Sequence, residues 1–351
     1  MIRTRVMIRT RGWRGAVVFG LPALGLAAVV GWELVRSPAG DDSITVRLAL
    51  SAALLSLAGY VLAGVRLGPV RELKQARAVA CATQRVLLRP LPARIDGLTV
   101  AASQLSASRG AVVGGDLYEA LATVHGVRLV IGDVRGHGLA AIGAVAAVLG
   151  SFREAAHDEP GLPGVARRLE RALERHLRER SRQEHPAAGG AEPGHPSAEE
   201  FVTVLLLEID PDGRMTAVNC GHPWPYRLGK AAGRVRGGEP LPPLGTFPLP
   251  AAVESWRCGR LLPGDALLLH TDGATDARDP GGRFFRLDDV LRDAAADGVP
   301  APARVIQRVH RALLRHTGGR VTDDVALLVL RNDRSRTLGR PDPVRTARSA
   351  L

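Results

Sequence analysis

Five aspartates in four turns hold most of the chemistry this chain can offer: Asp116 in Gly114-Gly115-Asp116, Asp133 in Gly132-Asp133-Val134-Arg135-Gly136-His137-Gly138, Asp272 in Thr271-Asp272-Gly273, and the pair Asp323-Asp324. Carboxylates are hard oxygen donors that suit Mg²⁺ or Mn²⁺, which soft thiolate sites do not. A single Asp-Gly step is ordinary turn chemistry. Here, however, each turn adjoins an apolar run. Leu129-Val130-Ile131 leads into Asp133, Leu267-Leu268-Leu269 leads into Asp272, and Val325 to Leu330 follows Asp324. Several strand ends can therefore bring distant carboxylates to one point.

The elements that must position them follow from periodicity. Strands are expected at Leu98–Ala102, Leu117–Thr123, Val127–Ile131, Val202–Ile209, Met215–Asn219, Ala266–His270 and Val325–Leu330, several of them apolar on both faces as buried strands are. Helices are expected at Leu139–Ala156, Gly164–Glu179, Leu287–Ala296 and Pro302–His316. Groups of strands with helices between them imply an α/β fold in layers. Residues 181–200, rich in Pro, Gly, Ala, His and Glu, read as a mobile loop, with His185 and His195 solvent-exposed rather than ligating. Residues 332–351 read as a disordered basic tail.

Together these phrases resemble the metal-dependent (type 2C-like) protein phosphatases in their bacterial SpoIIE-like branch. The resemblance runs from about Ala82 to Arg331. It rests on Val113-Gly114-Gly115-Asp116-Leu117-Tyr118, the turn around Asp133, Asn219-Cys220-Gly221-His222-Pro223, Pro243-Leu244-Gly245, Pro263-Gly264-Asp265 through Arg278, and Thr322-Asp323-Asp324-Val325, in that order. It implies a central antiparallel β-sandwich flanked by helices (α-β-β-α layers) over residues 91–331, and a protein serine/threonine phosphatase that works with two or more Mn²⁺ or Mg²⁺ ions. A phosphomonoester dianion repels hydroxide. Two adjacent divalent ions both neutralise that charge and make a water nucleophilic near neutral pH.

Carried over residue by residue, the resemblance makes Asp116, Asp133, Asp272 and Asp323 catalytic metal ligands, joined by the Val134 carbonyl. Asp324 stands where other branches carry Asn. His137 is either a general acid for the leaving serine or threonine oxygen or a turn histidine, and His222 fixes a turn rather than touching metal. Cys220, Asp276 and Ala326 depart from residues common in the family, and no arginine matches the phosphate-binding one of the eukaryotic branch. By the same analogy the substrate is a phosphorylated regulatory protein of the anti-anti-sigma type. Two other classes stay open: a catalytically silent scaffold, favoured if a carboxylate were missing, and a nucleotide sensor, which would need a Gly-x-x-x-x-Gly-Lys-Ser/Thr element that the sequence lacks.

The net charge of +12 first suggests a nucleic-acid partner. Its distribution argues against one. Residues 1–90 carry 13 basic and 4 acidic side chains, residues 91–331 carry 29 of each, and residues 332–351 carry 5 and 2. The basicity belongs to the flanks, where membrane topology or a disordered tail explains it better than a DNA-binding face. Three isolated cysteines, 81, 220 and 258, offer neither a zinc site nor a disulfide framework.

Residues 1–67 read as a membrane anchor with two transmembrane helices at about 16–35 and 48–65, each near the lower limit for crossing a bilayer. Arginines 3, 5, 9, 11 and 14 precede the first, and Arg66, Arg71, Lys74 and Arg77 follow the second, so the positive-inside rule puts both ends and the catalytic domain in the cytoplasm of a multi-pass cell-membrane protein. A cleaved signal peptide and a soluble helical hairpin are the competing readings of these runs. Residues 68–90 read as a linker helix. Leu73, Ala76, Ala80, Thr83 and Leu87 give it either a homodimer seam or a face packed on the phosphatase domain.

Overall fold

The central strands at Gly126–Val134, Val202–Ile209, Ala266–His270 and Val325–Asn332 are buried on both faces, and this is why they read as long apolar runs. In the computed structural model, which describes residues 87–105, 114–136, 139–184, 200–230 and 232–334, two antiparallel sheets lie face to face. One has the order β1 (Arg94–Ile95), β2 (Leu98–Leu105), β11 (Val325–Asn332), β10 (Ala266–His270), β7 (Tyr226–Leu228) and β8 (Gly233–Arg234). The other runs β3 (Leu117–Thr123), β4 (Gly126–Val134), β5 (Val202–Ile209), β6 (Arg214–Cys220) and β9 (Trp256–Arg260).

Alternation along the strands then builds three apolar layers. Leu267 and Leu269 of β10 meet Leu129 and Ile131 of β4 and Leu205 and Leu207 of β5 between the sheets. Val130, Val204 and Leu206 face the opposite way, onto helices α1 (Leu139–Asp158) and α2 (Leu162–Glu184). Leu268, Leu327 and Val329 face outward from the other sheet onto α3 (Leu287–Ala295) and α4 (Pro302–His316). The layers are α-β-β-α, as the resemblance implied.

Register decides what gathers at the strand ends. Leu117 pairs with Gly132, which sets Asp116 beside Asp133, and His270 pairs with Leu327, which sets the turn after β10 beside the start of β11. Gly132 is required here, because a Cβ on it would stand 2.3 Å from the Thr203 carbonyl oxygen.

Three boundaries differ from expectation. Helix α2 continues to Glu184, past Ser181, where the loop was expected to begin. Glu200, at the loop's expected far end, is buried and paired with Arg180. The tail was expected from residue 332, yet Asn332 closes β11, and Arg334 donates Nε to the Asp96 carbonyl at 2.8 Å and Nη2 to its carboxylate at 2.6 Å. One arginine thus clips the segment just after β11 to the β1–β2 turn, a fixing that composition does not reveal.

At the linker's end Leu88 is buried against the α1–α2 layer, and Arg153 donates Nη2 to the Leu87 carbonyl at 2.7 Å. The expected spans at 16–35 and 48–65, the linker up to residue 86, residues 185–199 and the tail from residue 335 lie outside the described residues. Among the described residues no helix is long and apolar enough to cross a membrane.

The helical layer is pinned by a buried cation. Arg128 is fully buried on β4; its Nε donates to the Glu208 carboxylate at 2.8 Å, and its Nη1 to the Ala156 and Glu159 carbonyls at 3.0 and 2.6 Å, holding the α1–α2 junction. Arg128→Met keeps the stem but leaves these acceptors without donors. The substitution is expected to destabilise the domain by about 3–5 kcal/mol, read as a lowered urea midpoint with an unchanged slope. An unchanged midpoint would mean that the junction is held by apolar packing alone.

Candidate metal centre

The five aspartates come together at one end of the sandwich, delivered by four separate segments. Asp116 precedes β3 and is 1% exposed. Asp133 is the penultimate residue of β4, Asp272 opens a 3₁₀ turn (Asp272–Ala274) after β10, and Asp323-Asp324 precedes β11. Glycines allow the approach. A Cβ on Gly115 would stand 2.3 Å from the Val134 carbonyl oxygen and 2.7 Å from Asp133 Oδ1, and one on Gly114 would stand 1.8 Å from Asp324 Oδ2. Gly273 lies equally close to the backbone of the acidic pair, since its Cβ would fall 2.0 Å from the Asp324 carbonyl oxygen. The glycine pair before Asp116 therefore opens a gap lined by oxygens of Asp133, Val134 and Asp324.

Electrostatics tie the five into one group. Burial, then the charges of Asp133 and Asp324, push the Asp116 carboxyl well above the usual range. Burial, then Asp272, Asp323 and Asp324, push Asp133 up to about 7. Burial and Asp323 raise Asp272. Like charges crowded out of water are a poor arrangement unless a cation neutralises them. The donor set is hard oxygen throughout, which fits Mg²⁺ or Mn²⁺. Among the described residues no three Asp, Glu, His or Cys side chains have already closed to coordination distance. The fit therefore rests on the oxygen-lined gap and on the crowding of charge.

The acidic pair divides its work. Asp324 acts on Asp116 and Asp133, whereas the exposed Asp323 acts on Asp133 and Asp272. His137 lies outside the described residues.

His222 does fix a turn, as expected. Its backbone N–H donates to Asn219 Oδ1 and its carbonyl accepts from Asn219 Nδ2, both at 2.8 Å. Its Nε2 faces the His270 carbonyl at 3.1 Å, so Nε2 carries the proton and Nδ1 accepts from the Thr203 hydroxyl at 3.0 Å. Thr203 Oγ1 in turn accepts from the Asp133 N–H at 3.3 Å. Burial lowers His222 to about 3 and His270 to about 4, so both are neutral at physiological pH.

Sequence reasoning missed two hydroxyls. Besides Thr203, Thr271 accepts from the Ala326 N–H at 2.9 Å, which leaves its own proton to donate to Asp116 Oδ2 at 3.3 Å. In the sequence both look like β-branched strand residues; the available signal is that Thr271 directly precedes Asp272. Neither described cysteine offers a nucleophile, because burial pushes the Cys220 thiol up to about 12 and the Cys258 thiol to about 11.

Two packed antiparallel sheets with acidic turns converging at one end match the architecture of the type 2C-like metal-dependent phosphatases. The family model described as Stage II sporulation protein E (SpoIIE) matches residues 123–333, and the chain belongs to that family. The matched region is a phosphatase domain.

Among solved structures, the SiaA-PP2C domain of Pseudomonas aeruginosa shares the fold at a TM-score of 0.53 and 18% identity, with 77% of this chain and 99% of that chain covered. The RsbU and RsbW domains of Rv1364c from Mycobacterium tuberculosis align at 26% identity and a TM-score of 0.47, covering 67% of this chain. The phosphatase domain and regulatory fragment of SpoIIE from Bacillus subtilis align at 16% identity and a TM-score of 0.46, also covering 67% of this chain. This chain spans 60% of the length of the first of those last two and 62% of the second.

Proposed function

We propose that the protein is a membrane-tethered phosphatase that hydrolyses phosphoserine and phosphothreonine in a regulatory protein of the anti-anti-sigma type, with water activated between two Mn²⁺ or Mg²⁺ ions. The observation that carries this reading is the convergence of five carboxylates and the Val134 carbonyl on the gap that Gly114 and Gly115 leave open. The ions supply nucleophile activation and neutralise charge on the phosphoryl group.

The chain's own residues set where that happens. Asp116, Asp133, Asp272, Asp323 and Asp324 would hold the ions with the Val134 carbonyl, and Thr271 and Thr203 keep Asp116 and the Asp133 backbone from turning away. His222, engaged through both ring nitrogens, serves this frame. A catalytically silent scaffold is the competing reading, and the presence of every proposed carboxylate disfavours it. The substrate class rests on the family resemblance alone. Release of phosphate from a phosphoserine-bearing anti-anti-sigma protein in the presence of Mn²⁺ tests it; turnover of aryl phosphate without turnover of that protein would leave the phosphatase and discard the substrate.

Thr271→Val keeps shape and removes the hydroxyl that orients Asp116. It is expected to raise the Mn²⁺ concentration for half-maximal activity by about 10–100-fold, as loss of an outer-shell partner does, with turnover at saturating metal largely retained. An unchanged metal requirement would separate Thr271 from the centre.

For the tether, a reporter enzyme active only outside the cytosol should be active when fused after Gly40 and silent after Arg77. The opposite pattern at both positions would reverse the hairpin. Activity after Arg77 together with cleavage near residue 39 would make the first apolar run a signal peptide.

A further inference from the structure

Helix α4 carries Arg304, Arg308, Arg311 and Arg315, spaced four, three and four residues apart, so they form one stripe along its surface. All four are exposed, and the 15-residue helix has no acidic side chain. Like charges at these spacings destabilise an isolated helix. Other arginines meet acids: on α2, Arg178 meets Glu174, and Arg168 reaches back to Glu159 of the α1–α2 junction, each at 2.7 Å. On α3, Asp289 is shared between Arg286 and Arg292, at 2.8 and 3.0 Å. Among the described residues none of the four stripe arginines enters an ion pair. Arg308 donates to the Ala294 carbonyl and Arg315 to that of Arg311.

Three of the four, Arg308, Arg311 and Arg315, border a concave surface, and Arg304 continues the row one turn beyond it. Two adjoining hollows between α3 and α4 share Val290, Ala312 and Arg315; one is edged by Arg308 and Arg311, the other by Arg286 and the half-exposed Phe284. Asp289 and Asp293 also line them, the first already paired. An apolar floor with guanidinium forks along its length suits carboxylates presented by an extended chain, since an arginine fork takes a carboxylate through two donors. A flat bilayer surface would reach the rim and leave the floor uncovered. At 1.5 Å per residue the stripe is about 16 Å long, the span of about five extended residues.

We propose that the α3–α4 groove docks an acidic stretch of a partner polypeptide, held by the Arg304, Arg308, Arg311 and Arg315 stripe. None of the five aspartates of the metal centre lines the groove, so docking and hydrolysis are separable.

The test uses the full chain in a neutral detergent and fluorescein-labelled octaglutamate, followed by anisotropy at low and high salt. The wild type is expected to bind, more weakly as salt rises. Replacing all four stripe arginines by Gln is expected to weaken binding by about tenfold, as four exposed charge contacts acting together would. Mn²⁺-dependent aryl phosphate turnover should stay within about twofold, showing an intact fold. Replacing Arg171, Arg175, Arg178 and Arg182 of α2 by Gln removes the same charge and should leave peptide binding unchanged. If loss of the Arg308 contact to Ala294 unfolds the fourfold variant, the threefold variant that keeps Arg308 must still show weakened binding. Equal losses in the α2 control, no binding by the wild type, or stripe-dependent capture of phosphatidylserine vesicles without peptide binding would each overturn the proposal.

Discussion

Asp133→Asn and Asp272→Asn are each expected to lower Mn²⁺-dependent hydrolysis by more than about 100-fold, beyond the range seen when only an outer-shell partner is lost, while raising the thermal stability of the metal-free protein. The two effects have one cause. Burial and the charges of Asp272, Asp323 and Asp324 hold the Asp133 carboxyl at about 7 without metal, above an unfolded value of about 3.9. A pKa raised in the folded state contributes stability that is fully present below the unfolded pKa and lost as pH rises through the folded one. Metal-free protein should therefore lose stability from about pH 4 to about pH 7, and Mn²⁺ should restore most stability above that window. A neutral amide removes both the repulsion and the affinity for a hard dication. At pH above 7 the metal-free Asn variants should melt higher than the wild type, by roughly 2–4 °C for each kcal/mol of repulsion relieved. A variant that lost activity and also melted lower without metal would show the aspartate to be structural.

Gly115→Ala is expected to be nearly as damaging to hydrolysis, for a steric reason. The added methyl would stand 2.3 Å from the Val134 carbonyl oxygen and 3.0 Å from the Val134 nitrogen. Main-chain atoms inside a paired strand cannot yield as a flexible side chain would. The β3–β4 end must part, carrying Asp116 away from Asp133 and turning the Val134 carbonyl. Turnover should fall by about 100-fold or more and stability by about 1–3 kcal/mol, the usual range for overpacking. Gly150→Ala, the same substitution on an exposed turn of α1 with nothing within 4 Å of the new methyl, should instead stabilise by about 0.5–1 kcal/mol. Equal behaviour of the two alanines in unfolding and turnover experiments would remove the steric argument for Gly115.

The parts legible in the sequence are those whose physics is local and repeated. Leu129-Val130-Ile131 and Leu267-Leu268-Leu269 are apolar without alternation because sandwich core and helix cover opposite faces of the same strand, and the aspartates that follow them mark where the covering ends. The short edges gave no such signal. β9 buries only Cys258 among its five residues, and β1 and β8 have two residues each, too few for any period to appear.

Single contacts over long sequence distance were equally hidden. Arg334 returns to Asp96, and Thr203 joins His222 to Asp133, in each case through one side chain that composition treats as tail or as strand filler. Both members of the acidic pair reach the other carboxylates, which motif matching alone does not show. The resemblance favours Asp323 as the family's last aspartate, and in the structure the charge of Asp323 reaches Asp133 and Asp272 while Asp324 approaches Gly114 and acts on Asp116 and Asp133.

The claim that the five aspartates form a working divalent-metal centre is tested most directly by titrating Mn²⁺ into the metal-free full chain while heat of binding and aryl phosphate turnover are read on the same sample. Binding of two ions per chain, with turnover appearing as the second site fills, and loss of both signals together in Asp133→Asn is the predicted result. Turnover that is independent of metal, or metal binding that survives intact in Asp133→Asn, would contradict it.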